Sequence, residues 1–280
     1  TVDVRSASSD SGSTGHIVVA SGSSAVSTSG SLALSTGDAT YAQSGDIAVQ
    51  VGSTGTSNGG DIALSAGETR GQGATGGSIS LRTGGANGRD AQTGELALDT
   101  ASSKFGASGA VTVSTGSSAA GSHTGSVSIV SGNADAGQAG ALNILVGRSG
   151  SGDGADFTLS AGESVKAQGG RLDLSSGKGR LGSGDVHLSS PTSTTSGAST
   201  GNVVVRSGDT VEGHVGSVSV LGGSVTGKDS SGGNIEIAGG HGGRGGSISI
   251  SAGDSQTENG GDVTLSSGTS ADRQSRSGKV

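Results

Sequence analysis

The residues able to do chemistry are thinly spread along this chain. His16, His123, His187, His214 and His241 show no HxH or HxxxH spacing, so no single element would present two of them to a metal ion. Serine is abundant, but no nucleophile elbow leads from an apolar strand into a helix. The run GGHGGRGG at 239–246 has the glycines of a phosphate cradle without the following helix that would supply its charge. A tight turn accounts for it better. Asp46, Asp61, Asp156, Asp185 and Asp262 recur at one place in a repeat, yet other copies put Ser, His, Ala or Arg there. That is unlike a calcium-binding roll. With no cysteine, thiolate and disulfide chemistry are excluded. The expectation is a non-enzymatic chain without cofactor or metal.

What positions these residues is a comb of glycine and aliphatic side chains. Of 280 residues 59 are Gly, and there are one Pro, one Tyr, two Phe and no Met or Trp. Aromatic and Met side chains normally fill the gaps of a globular core, so an ordinary globular domain is not expected. The net charge of −7 and the lack of a basic run argue against nucleic acid as a partner. No apolar stretch approaches the roughly 18 residues of a membrane span. The first residue is Thr1 and no basic-then-apolar leader follows, so any signal peptide is expected to have been removed. A chain without Cys or Met offers little to oxidise, which suits long-lived extracellular material. None of the seven Asn begins an N-x-Ser/Thr sequon, so N-glycosylation is not expected; the Ser/Thr-rich arcs leave O-glycosylation open.

The comb has a period. Position zero is occupied by Val2, Ile17, Leu32, Ile47, Ile62, Ile79, Leu96, Val111, Val127, Leu142, Phe157, Leu172, Val186, Val203, Val218, Ile235, Ile248, Val263 and Val280. The spacing is 15 residues in ten cases, 17 in five, and 16, 14 and 13 once each. Two residues later a second row, from Val4, Val19 and Leu34 to Leu265, is aliphatic throughout. A glycine precedes position zero by two residues, as at Gly15, Gly30, Gly45 and Gly60, and another follows it by five, as at Gly22, Gly37, Gly52 and Gly67. The unit is G-x-h-x-h-x-s-G, where h is aliphatic and s is Ser, Thr or Ala, followed by a variable arc. Period-two alternation puts both h residues and s on one face. Glycines at each end fit corners that need positive φ or close backbone approach.

Such a repeat predicts an all-β fold: a slim parallel β-solenoid of about 18 coils, one array over 1–280 with handedness left open. Its coils would stack at the ~4.8 Å strand spacing, each too small to fold alone. The pairs Ile17 and Val19, Ile62 and Leu64, Val111 and Val113, and Ile235 and Ile237 would build the core ladders. Gly15, Gly30, Gly45, Gly60 and Gly67 would form corners. Val26, Tyr41, Phe105, Val165, Leu181 and Val211 in the variable arcs would close the far side of a thin core. The array resembles secreted Gly/Ser-rich β-solenoid tandem-repeat proteins, a broad group of extracellular fibres and adhesins. The resemblance covers the whole chain and implies an extracellular or cell-surface setting.

Neither terminus carries a visible cap, so the chain is expected to be a segment of a longer array or a protomer stacking end to end through Val2, Val4 and Val280. Val130 and Leu145 in adjacent repeats, with Val204 and Leu221 further on, point outward and are candidate lateral contacts. The function expected is structural: a fibre, filament or surface coat assembled from copies of itself, without nucleic acid or membrane insertion. A stalk of a larger adhesin and an ice-binding protein are the alternatives. Against ice binding, charges and His interrupt the outward row Asp3, Val18, Ala33, Ala48, Ala63, Ser80, Ala97, Thr112, Ser128, Asn143, Thr158, Asp173 and His187. Cell-surface glycan ligands stay open.

Overall fold

The computed structural model describes residues 1–119, 122–227, 230–270 and 277–279. Among them there is no helix and no β-strand, and every bend or turn falls inside a variable arc. The G-x-h-x-h-x-s-G segments run without a bend. The chain divides into two units, Thr1–Leu142 and Asn143–Val280, and the same repeat builds both.

The all-β parallel solenoid expected from the periodicity is therefore wrong. Among the described residues no segment pairs with its neighbour as a strand, and no hydrophobic side chain is buried. The accessible surface is 28292 Å², against roughly 11,000 Å² for a folded domain of this mass and roughly 38,000 Å² for the extended chain. Periodicity dictates that every repeat adopts the same local path. It does not dictate what that path packs against, and two aliphatics per repeat are few to hold fifteen ordered residues.

The backbone hydrogen bonds go elsewhere, and eight of them close an arc upon itself. In the first unit the N–H of Gly77 donates to the carbonyl of Gly67 at 2.9 Å, and Gly94 to Gly84 at 3.3 Å. In the second unit Gly170 donates to Gly162 at 2.8 Å, Gly184 to Gly177 at 3.0 Å and Gly233 to Gly223 at 2.9 Å. There Gly246 also donates to Gly240 at 2.9 Å, Gly261 to Gly253 at 3.0 Å and Gly278 to Gly268 at 3.0 Å. The donor is the glycine that opens one segment; the acceptor is the glycine that closed the previous one. Each pinch holds the end of one segment beside the start of the next.

The length variation of the repeat lies in the arcs, pinched or not. The segment from Gly77 to Gly84, like those from Gly170 to Gly177 and Gly246 to Gly253, is eight residues long. The closed arc contains five residues between Gly240 and Gly246, seven between Gly162 and Gly170, and nine between Gly67 and Gly77. Closure entropy rises only about 0.6 kcal/mol per doubling of a flexible loop, so arcs of these lengths close at similar cost.

Two local devices shape the arcs, and which one is used follows repeat length. In six of the ten 15-residue repeats a Ser or Thr seven residues after position zero accepts a hydrogen bond from the N–H three residues on: Ser9 from Gly12 at 2.9 Å, Ser24 from Ser27 at 3.1 Å and Thr54 from Ser57 at 3.3 Å. Ser103 accepts from Gly106 at 2.9 Å, Ser164 from Ala167 at 3.0 Å and Ser255 from Glu258 at 2.9 Å. These are hydroxyl mimics of a backbone turn. In 17-residue repeats a true β-turn replaces them, with Ala74 donating to Gly71, Ala91 to Gly88 and Ala198 to Thr195, each at 3.2 Å. The third residue of each turn has positive φ: Gly73 at 72°, Asp90 at 59° and Gly197 at 81°. That is the position at which a type II or I′ turn demands it.

Candidate assembly surface

The alternation read from the sequence survives in the exposure pattern. Ile17 is 52% exposed and Val19 69%, while Val18 between them is 82%. The s position is more sheltered still: Val51 is 40% exposed and Val146 45%. The h, h and s side chains thus share one face and lean on little but their own repeat. The expected core-ladder residues Ile62, Leu64, Val111, Val113, Ile235 and Ile237 all stand more than half exposed. They line a surface stripe.

That stripe continues from one repeat to the next through the pinch. The s side chain touches the glycine that opens the following segment. A Cβ built on Gly77 would lie 3.2 Å from Ala66 Cβ, one on Gly30 3.3 Å from Ser21 Cβ, and one on Gly60 2.9 Å from Val51 Cγ1. Thr100 adds a polar version, its hydroxyl donating to the carbonyl of Gly109 at 3.2 Å. Ile62, Leu64, Ala66, Gly77, Ile79 and Leu81 therefore follow one another along one apolar face, while the arc between Gly67 and Gly77 is looped out.

The corner glycines act differently from the expectation of positive φ. Among the described residues, the glycines with φ in the left-handed region are Gly73, Gly152, Gly197 and Gly213, all in arcs. Gly60 and Gly30 matter because a side chain there would press on the preceding s residue; Gly15 and Gly45 have ordinary contacts at 3.6 Å with Ser6 and Thr36. Gly67, on the closing side, has nothing within 4 Å of a Cβ position. Among the glycines that occupy the s position, the tightest are Gly222 and Gly239. Their Cβ atoms would meet the carbonyl oxygens of Gly233 and Gly246 at 2.5 and 2.6 Å.

The arc residues Val26, Tyr41, Phe105, Val165, Leu181 and Val211 do not close a core. All six are at least 92% exposed, at or beside the bends. Lys104 Nζ lies 5.4 Å from the centroid of the Phe105 ring. Val130, Leu145 and Leu221 are exposed on the row after the second h position, and Val204 on the row between the two. Val2 and Val4 are exposed as well; Val280, their proposed end-to-end partner, lies outside the described residues.

Chemistry-bearing groups stay apart. Among the described residues no three His, Asp or Glu side chains approach closely enough to hold a metal ion, and there is no pocket. Ion pairs are local and exposed, such as Arg171 with Asp173 at 2.5 Å and Arg206 with Asp209 at 3.6 Å, a kind that contributes little. The GGHGGRGG run forms the arc between Gly240 and Gly246, closed by its pinch and bent at residues 242–244. The sequence signals for the arc devices were present but unused: a hydroxyl seven residues after position zero, and Gly or Asp before Ala in the 17-residue arcs. No helix is long and apolar enough to cross a membrane. Comparison with family models, with characterised proteins and with solved structures gives no match.

Proposed function

We propose that this chain is a structural protein that acts outside the cell as a fibre, filament or surface coat, its order arising between copies. The observation that carries this reading is a repeated apolar face with no core beneath it: among the described residues no hydrophobic side chain is buried, yet two rows of aliphatics recur through the chain. Apolar exposure on this scale is rare in soluble monomers and marks a surface that others cover. The absence of Cys and Met suits a long-lived extracellular material. Sedimentation velocity and electron microscopy of the purified full chain test the reading. Concentration-dependent assembly into elongated particles is expected; a monomer at every concentration would overturn it.

A further inference from the structure

Granting self-assembly, the question is which surface mates. We propose that copies associate through the h-x-h-x-s face, with the occupant of each stripe being the same stripe of a second copy of this chain. This inference rests on the proposed function and adds the surface to it.

Three observations lead to the h-face. The first is area. Each repeat offers two h side chains at least 49% exposed, and full burial of such a side chain removes roughly 60–120 Å² from water. Over either unit this makes on the order of 1,000 Å², above the ~800 Å² per partner of a standard stable interface. The second is continuity. Because most s residues abut the next opening glycine, as Ala66 does Gly77 and Thr36 does Gly45, the stripe passes from one segment to the next through small side chains, with at most a Ser or Thr hydroxyl and no charge at the junction. The third is period. A covering surface must carry apolar groups at the same spacing through repeats whose arcs differ in length. A second copy meets that requirement by construction, since its segments have the same length and its arcs differ in the same order.

The opposite rows offer no comparable face. Val130, Leu145, Val204 and Leu221 are apolar, but Asp3, Asp173 and His187 share the row of Val204, and Arg5, Arg82, Asp99 and Arg206 share the row of the other three. A stripe of that composition would bury unpaired charge.

The test compares two charge-matched variants of the full chain that differ by one residue in each segment. The first carries Ile62→Asp, Ile79→Asp and Leu96→Asp on the h-face. The second carries Ala63→Asp, Ser80→Asp and Ala97→Asp on the row between. With no core to lose, neither triple can act through a folded interior. The h-face triple is expected to raise the concentration for half-assembly by about tenfold or more, the second by much less. A further pair, Ile62→Cys and Ala63→Cys, gives a direct readout in a chain otherwise free of thiols. In the assembly the first thiol should react with maleimide at least about tenfold more slowly than the second. Equal weakening by both triples, or equal labelling of both thiols, would overturn the inference while leaving self-assembly intact. Loss of assembly only in the second triple would do the same and move the interface to the outward rows. A wild-type chain that never assembles would overturn the proposed function and this inference with it.

Discussion

Gly77 donates its amide to the carbonyl of Gly67 at 2.9 Å, and only one of the two glycines is required to be one. A Cβ on Gly77 would stand 3.0 Å from the Gly67 nitrogen and 3.2 Å from Ala66 Cβ, whereas Gly67 has open space around its own. The pinch is asymmetric: the closing glycine supplies an oxygen, and the opening glycine must come in close to reach it.

Gly77→Ala is accordingly expected to open the arc at 68–76 and Gly67→Ala to leave it closed. Amide hydrogen exchange at residue 77 reads the difference. The first variant should exchange several-fold faster than wild type, in line with the ~1 kcal/mol of one hydrogen bond, and the second at nearly the wild-type rate.

The shortest arc should be the most sensitive. Gly239→Ala sets a methyl group where the Gly246 carbonyl oxygen is 2.6 Å away, while Gly243→Ala meets nothing within 4 Å. Limited trypsin digestion at Arg244, inside this arc, is expected to accelerate for Gly239→Ala and to stay unchanged for Gly243→Ala. The same rate in both would show that the pinch does not restrain the arc.

Asp90 is the only non-glycine with positive φ among the described residues, at 59° in the third position of its turn. Left-handed backbone costs an L-residue roughly 1–2 kcal/mol, less for Asp. Asp90→Gly should therefore tighten the turn and slow exchange of the Ala91 amide, while Asp90→Val should loosen it. NMR exchange measurements on both variants check the sign.

Ser103→Ala removes the acceptor for the Gly106 amide, which lies 2.9 Å from the hydroxyl. Faster exchange at Gly106 is expected, by no more than about tenfold for an exposed bond of ~1 kcal/mol. Ser103→Thr should retain protection, because Thr54 fills the same role for Ser57. Failure of the Thr variant to do so would mean that the hydroxyl is not what protects Gly106.

These local devices were only partly legible in the sequence. The alternation of Ile62, Ala63 and Leu64 correctly placed two side chains on one face and one on the other. The glycine two residues before position zero correctly marked a close approach, at Gly60 against Val51. What the spacing could not supply was the partner of the face. A stack of coils within one chain and a chain closing each arc at its glycines require the same alternation and the same glycines. The decision lies in backbone hydrogen bonds, and Gly67 and Gly77 spend theirs on each other. The arc apolar residues misled for a related reason: Tyr41 and Phe105 look like core material by type, but a bend beside them turns both to solvent.

A melting experiment separates the two levels of order. With no buried side chain, the dilute chain is expected to show no cooperative thermal transition. Assembled material should melt cooperatively at a temperature that rises with protein concentration, as mass action requires when stability resides between chains. A sharp, concentration-independent transition in the monomer would contradict the empty interior.

The closed arc between Gly240 and Gly246 and the longer one between Gly67 and Gly77 leave segments of the same eight-residue length on either side. Each arc is thus an insertion point insulated from its surroundings. Residues can be gained, lost or exchanged there without shifting the frame of the segments that follow. Surface chemistry in this chain can drift freely at every arc while the apolar stripe keeps step, and a foreign peptide grafted between two pinched glycines would be displayed under the same terms.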